Sequence, residues 1–274
     1  MQEDTLPPDA PALETHALTR RYGDHLAVDE VTLTVAHGEV FGLLGRNGAG
    51  KSTLIKMLTT LLPPSSGEAL VEACDIRREA TKVRAVVGYV PQALSADGEL
   101  TGYENLLVFA RLYELPRAVR RQRIDEALAF MGLSEAAHRL VATYSGGMIR
   151  RLEIAQSMLH RPRLLFLDEP TVGLDPVARQ TGWQHIRQLR ERFDTTIFMT
   201  THHMDEAAEL CGRVGILRAG RLVACGSLSE LRLASGMPTA TLDELFARYT
   251  GEAAEAADAY IDTSSERRTS QRLA

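Results

Sequence analysis

A glycine-rich octapeptide, Gly-Arg-Asn-Gly-Ala-Gly-Lys-Ser at residues 45–52, constrains the fold of this chain more than any other segment. The apolar run Val40–Leu44 before it predicts a buried strand, and the pattern from Lys51 onward predicts a helix. Glycine allows a tight turn between them, so that backbone N–H groups and the helix dipole point at one anion. The octapeptide therefore predicts a strand–loop–helix unit that binds phosphate.

Two side chains at the end of this loop have the chemistry that ATP requires. Lys51 is expected to reach the β- and γ-phosphates, and the Ser52 hydroxyl is expected to ligate Mg²⁺. The alternative is a glycine-rich turn that only mimics the pattern, which the flanking strand and helix disfavour. The ATP-binding residues predicted from this segment are Gly45, Arg46, Asn47, Gly48, Ala49, Gly50, Lys51, Ser52 and Thr53.

A second apolar run, residues 164–167, predicts another buried strand, which ends at two acids. Ligands bind at the carboxyl ends of strands in open α/β sheets, so Asp168 is expected to hold Mg²⁺. Glu169 follows directly and is the candidate to polarise the attacking water. Two solvated acids at an ordinary strand end are the alternative, which the upstream phosphate loop disfavours.

Between these segments lies the run Tyr-Ser-Gly-Gly-Met at residues 144–148. Ser145 is a good N-cap for a helix that is expected to begin around Met148. Gly146 and Gly147 leave the backbone N–H groups bare, which predicts a second anion site at a helix N-terminus. A simple glycine-rich helix start is the alternative.

The three motifs, in this order, resemble those of the ABC ATPase family, in which two cassettes clamp ATP between them. The resemblance covers residues 14–251 and implies a homodimer, a separate membrane permease and transport-coupled ATP hydrolysis. Tyr144 and Met148 depart from the family's Leu and Gln, and the insertion that many members carry before the C-terminal helix is short here. Segments similar to the daunorubicin-resistance branch of bacterial drug-export cassettes are residues 100–106, 144–153, 203–207 and 241–246.

The resemblance gives catalytic roles to two residues at strand ends. The strand-like segment 86–92 ends at Gln92, which is implied to sense the γ-phosphate and Mg²⁺. The segment 196–202 ends at His202, which is implied to donate a hydrogen bond to the γ-phosphate, with His203 a bystander. The expected catalytic residues are then Lys51, Gln92, Glu169 and His202, and the expected metal ligands are Ser52, Gln92 and Asp168.

Two further residues gain implied roles at the nucleotide and at the dimer seam. Tyr22 is implied to stack on adenine, and the alternative is an ordinary surface tyrosine. Asp175 lies in the Gly-Leu-Asp loop that crosses the seam of the family's head-to-tail dimer. In that dimer Ser145, Gly146 and Gly147 contact the ATP of the opposite subunit.

Periodicity predicts an α/β fold with a mostly parallel sheet, an antiparallel β-subdomain and a helical stretch after Gln92. The resemblance implies that these form a P-loop NTPase core with an inserted α-helical subdomain. Residues 27–35 alternate as in an antiparallel, half-exposed sheet, whereas the pattern of the inserted helices occupies about residues 93–160. The expected boundaries are a flexible N-terminus at 1–13, the ATPase domain at 14–236, a C-terminal helix at 237–251 and a disordered tail at 252–274.

Composition limits the location and the partners of the chain. No run of about 18 apolar residues is present, and the acidic, proline-rich start is unlike a signal peptide. Three scattered cysteines match no metal spacing and indicate a reducing cytoplasm. The net charge of −5 argues against nucleic-acid binding, and the arginines of residues 117–123 indicate a solvated helix face. Together with the permease that the resemblance implies, this predicts a peripheral position on the cytoplasmic face of the membrane.

Two other functions are compatible with a phosphate loop. A soluble ABC ATPase of nucleic-acid repair or translation would normally add a coiled-coil insertion, zinc cysteines or a second cassette, none of which the sequence contains. A P-loop kinase or GTPase would not carry the Ser-Gly-Gly run. The transported substrate (a drug or antibiotic, a lipid or a polysaccharide) is not encoded here, because a cassette touches ATP and the permease but not the cargo.

Overall fold

A six-stranded sheet forms the centre of the computed structural model, which describes residues 10–251. Five adjacent strands are parallel and one edge strand is antiparallel, which confirms the mostly parallel sheet predicted from the sequence. In spatial order, with numbers that follow the chain, the strands are β10 (Arg221–Gly226), β9 (Arg213–Arg218), β3 (Val40–Leu44), β8 (Thr196–Thr201), β7 (Leu164–Asp168) and β6 (Val87–Val90).

Strands β3, β7 and β8 are buried at every residue. A strand with both faces covered is predominantly apolar, which explains why these segments show no alternation in the sequence. Three aromatic rings pack across the strands: the centroid of Phe198 lies 5.4 Å from that of Phe41 and 5.5 Å from that of Phe166. This packing fixes the strand ends that carry the candidate site.

The predicted antiparallel β-subdomain is a second sheet of four strands. Val31, Leu33 and Val35 are buried while the residues between them are exposed, as the alternation at residues 27–35 predicts. The strands are β1 (Leu13–Tyr22), β2 (His25–Val35), β4 (Ser66–Val71) and β5 (Cys74–Asp75), in the spatial order β2-β1-β4-β5.

Nine α-helices lie within residues 10–251, and three of them follow one another between β6 and β7. These three pack their apolar faces around Leu106, Ile124 and Leu152, all fully buried, where the sequence predicts helices. The helices are α1 (Lys51–Leu58), α2 (Ala80–Val86), α3 (Gly102–Leu112), α4 (Arg117–Phe130), α5 (Gly146–Met158), α6 (Pro176–Phe193), α7 (Met204–Leu210), α8 (Leu228–Ser235) and α9 (Leu242–Thr250).

The predicted C-terminal helix is α9, which begins at Leu242 rather than at residue 237. Thr241 fixes this start because its side chain accepts a hydrogen bond from the Glu244 N–H, while Glu244 bonds back to the cap. Helix α8, which the sequence analysis did not predict, packs against α9. None of the described helices combines the length and the apolarity needed to cross a membrane.

The structure corrects three sequence-based boundaries. The N-terminal segment is not flexible as far as residue 13, because Ala12 and Leu13 are fully buried and β1 begins at Leu13. Strand β6 ends at Val90 and not at Gln92, since Pro91 between them has no N–H for the sheet. The helix expected around Met148 begins at Gly146. Residues 1–9 and the predicted tail 252–274 lie outside the described residues.

Candidate active site

The candidate site is a cleft of about 380 Å³ at one edge of the six-stranded sheet. The carboxyl ends of β3, β6, β7 and β8 meet at this edge because these strands are parallel, and each is followed by a predicted site residue. The residues that line the cleft are Tyr22, His25, Ala27, Arg46, Asn47, Gly48, Gly50, Lys51, Ser52, Thr53, Gln92 and Glu169.

The phosphate loop is wrapped around the ammonium group of Lys51. Lys51 Nζ donates to the carbonyl oxygens of Gly45 at 2.7 Å and Arg46 at 3.3 Å. Gly50 has φ of +106°, and a Cβ there would lie 2.2 Å from the Ala27 carbonyl oxygen, so only glycine fits. A Cβ on Gly48, in contrast, would meet no atom within 4 Å, which leaves its backbone open to a ligand.

Asp168 and Ser52 form a pair of hard oxygen donors. The Ser52 hydroxyl donates to Asp168 Oδ1 at 3.1 Å, and Asp168 is only 2% exposed. Thr200, a residue that the sequence analysis missed, donates to the same Oδ1 at 2.6 Å and fixes the carboxylate. Hydroxyl and carboxylate oxygens are the ligands that Mg²⁺ prefers, so this donor set fits the predicted metal.

Three predicted catalytic residues converge on the carboxylate of Glu169. Lys51 Nζ lies 3.1 Å from Oε1, while Gln92 Nε2 donates to Oε2 at 3.3 Å and His202 Nδ1 lies 3.1 Å from Oε2. Glu169 is 6% exposed and has φ of +49°, a conformation that non-glycine residues seldom adopt. Its N–H donates to both oxygens of Thr200, which holds the backbone in this position.

Tyr89 lies close to this group of charges. Burial, and to a lesser degree the charge of Asp168, raises the pKa of Tyr89 to about 12. Its hydroxyl therefore stays protonated at neutral pH and adds no charge beside the acids.

Tyr22 lies at the open end of the cleft and is 46% exposed. The guanidinium of Arg20 lies 4.6 Å from the centroid of its ring. A ring that lines a cleft with this much exposure can stack on a planar ligand.

The Ser-Gly-Gly run begins α5, as predicted, but it does not line the cleft. Ser145 caps the helix, with its Oγ accepting from the Met148 N–H at 3.3 Å, and a Cβ on Gly146 would meet no atom within 4 Å. Tyr144, the departure from the family pattern, is buried and donates its hydroxyl to the Ala136 carbonyl at 2.6 Å. The substitution thus has its own structural partner and leaves the helix start exposed.

Asp175 is the N-cap of α6 and is not among the residues that line the cleft. Its Oδ1 accepts hydrogen bonds from the N–H groups of Val177 and Ala178, each at 3.0 Å. Asp175 lies six positions after Glu169 along the chain, so it extends from the same segment that carries Glu169.

Comparison with known proteins identifies the family. The ABC transporter family model matches residues 28–172. The daunorubicin resistance ATP-binding protein DrrA3 of Streptomyces coeruleorubidus is 43% identical over 82% of this chain and 71% of its own length. The daunorubicin/doxorubicin resistance ATP-binding protein DrrA of Streptomyces peucetius is 45% identical over 82% of this chain and 68% of its own length.

A solved structure of the ATP-binding subunit of an ABC transporter has a similar fold. It superposes with a TM-score of 0.79 at 31% identity, and the match covers 87% of this chain and 99% of that one. The fold, the motif order and the similarity in sequence therefore agree. The chain belongs to the ABC transporter family, among its ATP-binding proteins, which hydrolyse ATP.

Proposed function

We propose that this chain is the ATP-hydrolysing subunit of an ABC exporter and drives a separate membrane permease. The observation that carries the proposal is the convergence of Lys51, Gln92 and His202 on the carboxylate of Glu169. Each of these three side chains has a chemistry that a phosphate-transfer site uses. Together they surround the two carboxylate oxygens of Glu169 at the end of the cleft.

The cleft has separate places for the phosphates and for the base of ATP. The loop of residues 45–50 and the N-terminus of α1 would hold the phosphates, with Lys51 on the β- and γ-phosphates. Tyr22 would stack on adenine, and this contact selects a planar base without a hydrogen-bond code.

Ser52 and Asp168, with Gln92, would hold Mg²⁺ at the same end of the cleft. When bound, Mg²⁺ supplies charge neutralisation at the phosphate oxygens. Thr200 would keep Asp168 oriented through its 2.6 Å hydrogen bond.

Glu169 would orient the attacking water and accept its proton as the bond to the γ-phosphate forms. His202 would donate a hydrogen bond to the γ-phosphate, since its Nδ1 lies 3.1 Å from Glu169 Oε2 and thus at the same end of the cleft. Lys51 is already a partner of Glu169, so ATP binding would exchange this ion pair for a contact between Lys51 and phosphate.

A homodimer would complete the site. Residues 145–147 form an exposed, glycine-rich helix start outside the cleft of their own chain, and such a start suits the phosphates of a second chain's ATP. In a head-to-tail pair each cleft would face the α5 start of its partner, and Asp175 would lie near the seam.

The permease would hold the chain at the cytoplasmic face of the membrane, where the region of residues 93–160 would transmit closure of the dimer to it. The names of two relatives refer to resistance to daunorubicin and doxorubicin, which supports export of a drug or antibiotic. Export of a lipid or polysaccharide is compatible with the same residues, because the cleft takes ATP rather than cargo.

Co-purification from native membranes tests the proposal. The tagged chain should bring down an integral membrane protein in a stoichiometric amount, and the complex should hydrolyse ATP faster than the chain alone. Recovery of soluble partners only, with all of the chain outside the membrane fraction, would instead support a soluble ABC ATPase of repair or translation.

A further inference from the structure

Helix α5 contacts the segment that carries Gln92 through two charged side chains. Arg150 donates from Nη1 to the Pro91 carbonyl and from Nη2 to the Gln92 carbonyl, both at 2.6 Å. Glu153, one turn further along α5, accepts from both the N–H and the hydroxyl of Ser95. One helix therefore holds the backbone at residues 91–92 and again at Ser95.

These two side chains are also paired with each other in the interior. Arg150 Nη1 lies 3.1 Å from Glu153 Oε2, and each residue is only 3% exposed. Burial lowers the pKa of Arg150, but a guanidinium stays charged at any physiological pH. Removing two charges from water is costly, and a buried pair often stabilises a fold no better than apolar residues would. A role in positioning accounts for the pair better than stability does.

The far end of the segment is fixed by amide side chains. Asn105 of α3 accepts from the Asp97 N–H at 3.0 Å and donates to the Asp97 carbonyl at 2.9 Å. Gln156 of α5 donates to Asn105 Oδ1 at 3.3 Å. Residues 91–97 are thus attached to α5 at both ends, directly through Arg150 and Glu153 and indirectly through Gln156.

The attachment connects two parts of the proposed site. Ser145 caps α5, and Arg150 is five residues further on, or about 7.5 Å along the helix. Arg150 holds the carbonyl of Gln92, whose own amide donates to Glu169 at 3.3 Å. A single helix therefore connects Ser145, proposed to contact the ATP of the partner chain, with Gln92, proposed to contact the ATP in its own cleft.

We infer that Arg150, with Glu153, is a positioning residue: it holds the Gln92 amide against Glu169 and makes Gln92 and Ser145 move as one unit. The inference rests on the proposed function of these two residues. Neither Arg150 nor Glu153 is proposed to contact ATP. Loss of the pair should therefore lower the rate of hydrolysis and leave nucleotide binding almost unchanged.

The test variant combines Arg150→Met with Glu153→Gln, so that neither charge is left unpaired in the interior. We expect kcat for ATP hydrolysis to fall between about 10- and 100-fold with KM within about twofold, because small misplacements of catalytic groups have effects of this size. Arg120→Met is the matched control, since Arg120 of the neighbouring helix α4 also donates to a backbone carbonyl, that of Leu115. Arg150→Lys, which keeps the charge, should recover part of the rate.

A double-mutant cycle with Gln92→Ala separates positioning from general damage. If the pair acts through Gln92, adding the pair variant to Gln92→Ala should lower kcat no further. The inference would be overturned if the kcat losses of the pair variant and of Gln92→Ala multiply in the combined variant. It would also be overturned if Arg120→Met lowers kcat as much as the pair variant does. If Gln92→Ala and Glu169→Gln themselves hydrolyse ATP like the unmodified chain, the proposed site is wrong. If they are impaired and the pair variant is not, only the inference fails.

Discussion

Lys51 and Glu169 form a buried ion pair at the end of the cleft, with Nζ 3.1 Å from Oε1. The side chains are only 5% and 6% exposed, so water screens their attraction weakly. Lys51 is also the residue proposed to hold the β- and γ-phosphates, so an incoming phosphate competes with Glu169 for the same ammonium group. Glu169, the proposed base, is therefore released from Lys51 when ATP binds.

Glu169→Gln tests this relationship. The amide keeps the shape of the side chain but loses the charge that pairs with Lys51, so ATP should bind at least as tightly as to the unmodified chain. Hydrolysis should fall by about 100-fold or more, because the group that accepts the proton is gone. Equilibrium binding of ATP and release of phosphate measure the two effects separately.

The same variant should accumulate as a dimer in the presence of ATP, since closed pairs can no longer hydrolyse their nucleotide. Glu209→Gln is a suitable control, because Glu209 pairs with Arg187 on the exposed surface. A Glu169→Gln chain that stays monomeric at saturating ATP in gel filtration would contradict the head-to-tail dimer.

Ser145→Ala should abolish most hydrolysis without preventing ATP from binding to the cleft of the same chain. Ser227→Ala is its control: the hydroxyls of Ser145 and Ser227 each accept from an N–H three residues ahead at 3.3 Å. Both variants should lose about 1 kcal/mol of stability through the missing cap. Only Ser145→Ala should lose activity, and equal activity in the two variants would mean that Ser145 is a cap alone.

Gly50→Ala should remove ATP binding and lower the unfolding temperature. The new Cβ would lie 2.2 Å from the Ala27 carbonyl oxygen, at a φ of +106° that alanine rarely adopts. Gly236→Ala, at a φ of +71° with no atom within 4 Å of the new Cβ, should cost only about 1 kcal/mol and keep ATP binding. Calorimetry and nucleotide titration of both variants separate backbone strain from the clash.

Local patterns were sufficient to predict the strands and helix starts that carry the site. The apolar run of β3, the acids at the end of β7 and the cap at Ser145 each depend on residues that are neighbours in the sequence, and the structure has all three. The boundary at Gln92 was wrong by two residues because the predicted strand was extended through Pro91, which has no N–H to donate to a sheet.

Contacts between distant segments could not be read from the sequence. Gln92 and Glu169 are 77 positions apart, and the Arg150 contact with the Gln92 carbonyl spans 58. Thr200 gave one usable signal, a polar residue in a mostly apolar strand two residues before His202, but its bond to Asp168 depends on how β7 and β8 align. Such contacts follow from strand order and helix packing, which no local pattern specifies.

A carboxylate outside the active site predicts a dependence of stability on pH. Glu72 follows β4 and its side chain is 1% exposed, with His37 at 3.4 Å and Arg163 at 3.7 Å. Neither carboxylate oxygen has a hydrogen bond among the described residues. Burial raises the pKa of Glu72 above its ordinary value of 4.5, and the charges of His37 and Arg163 offset this only in part.

Glu72→Gln should therefore stabilise the protein, and by more as the pH rises. Because the folded chain holds the proton of Glu72 more tightly than the unfolded chain does, stability is lost as the pH increases through the raised pKa. The variant has no such charge, so its advantage should vanish below the ordinary value of 4.5 and be largest at about pH 8. An advantage of 1 kcal/mol would raise the unfolding temperature by about 2–4 °C in a domain of this size. Glu68→Gln on the exposed face of β4 should show no such trend. A Glu72→Gln chain that is less stable than the unmodified one at about pH 8 would mean that the polar partners of Glu72 outweigh the cost of its burial.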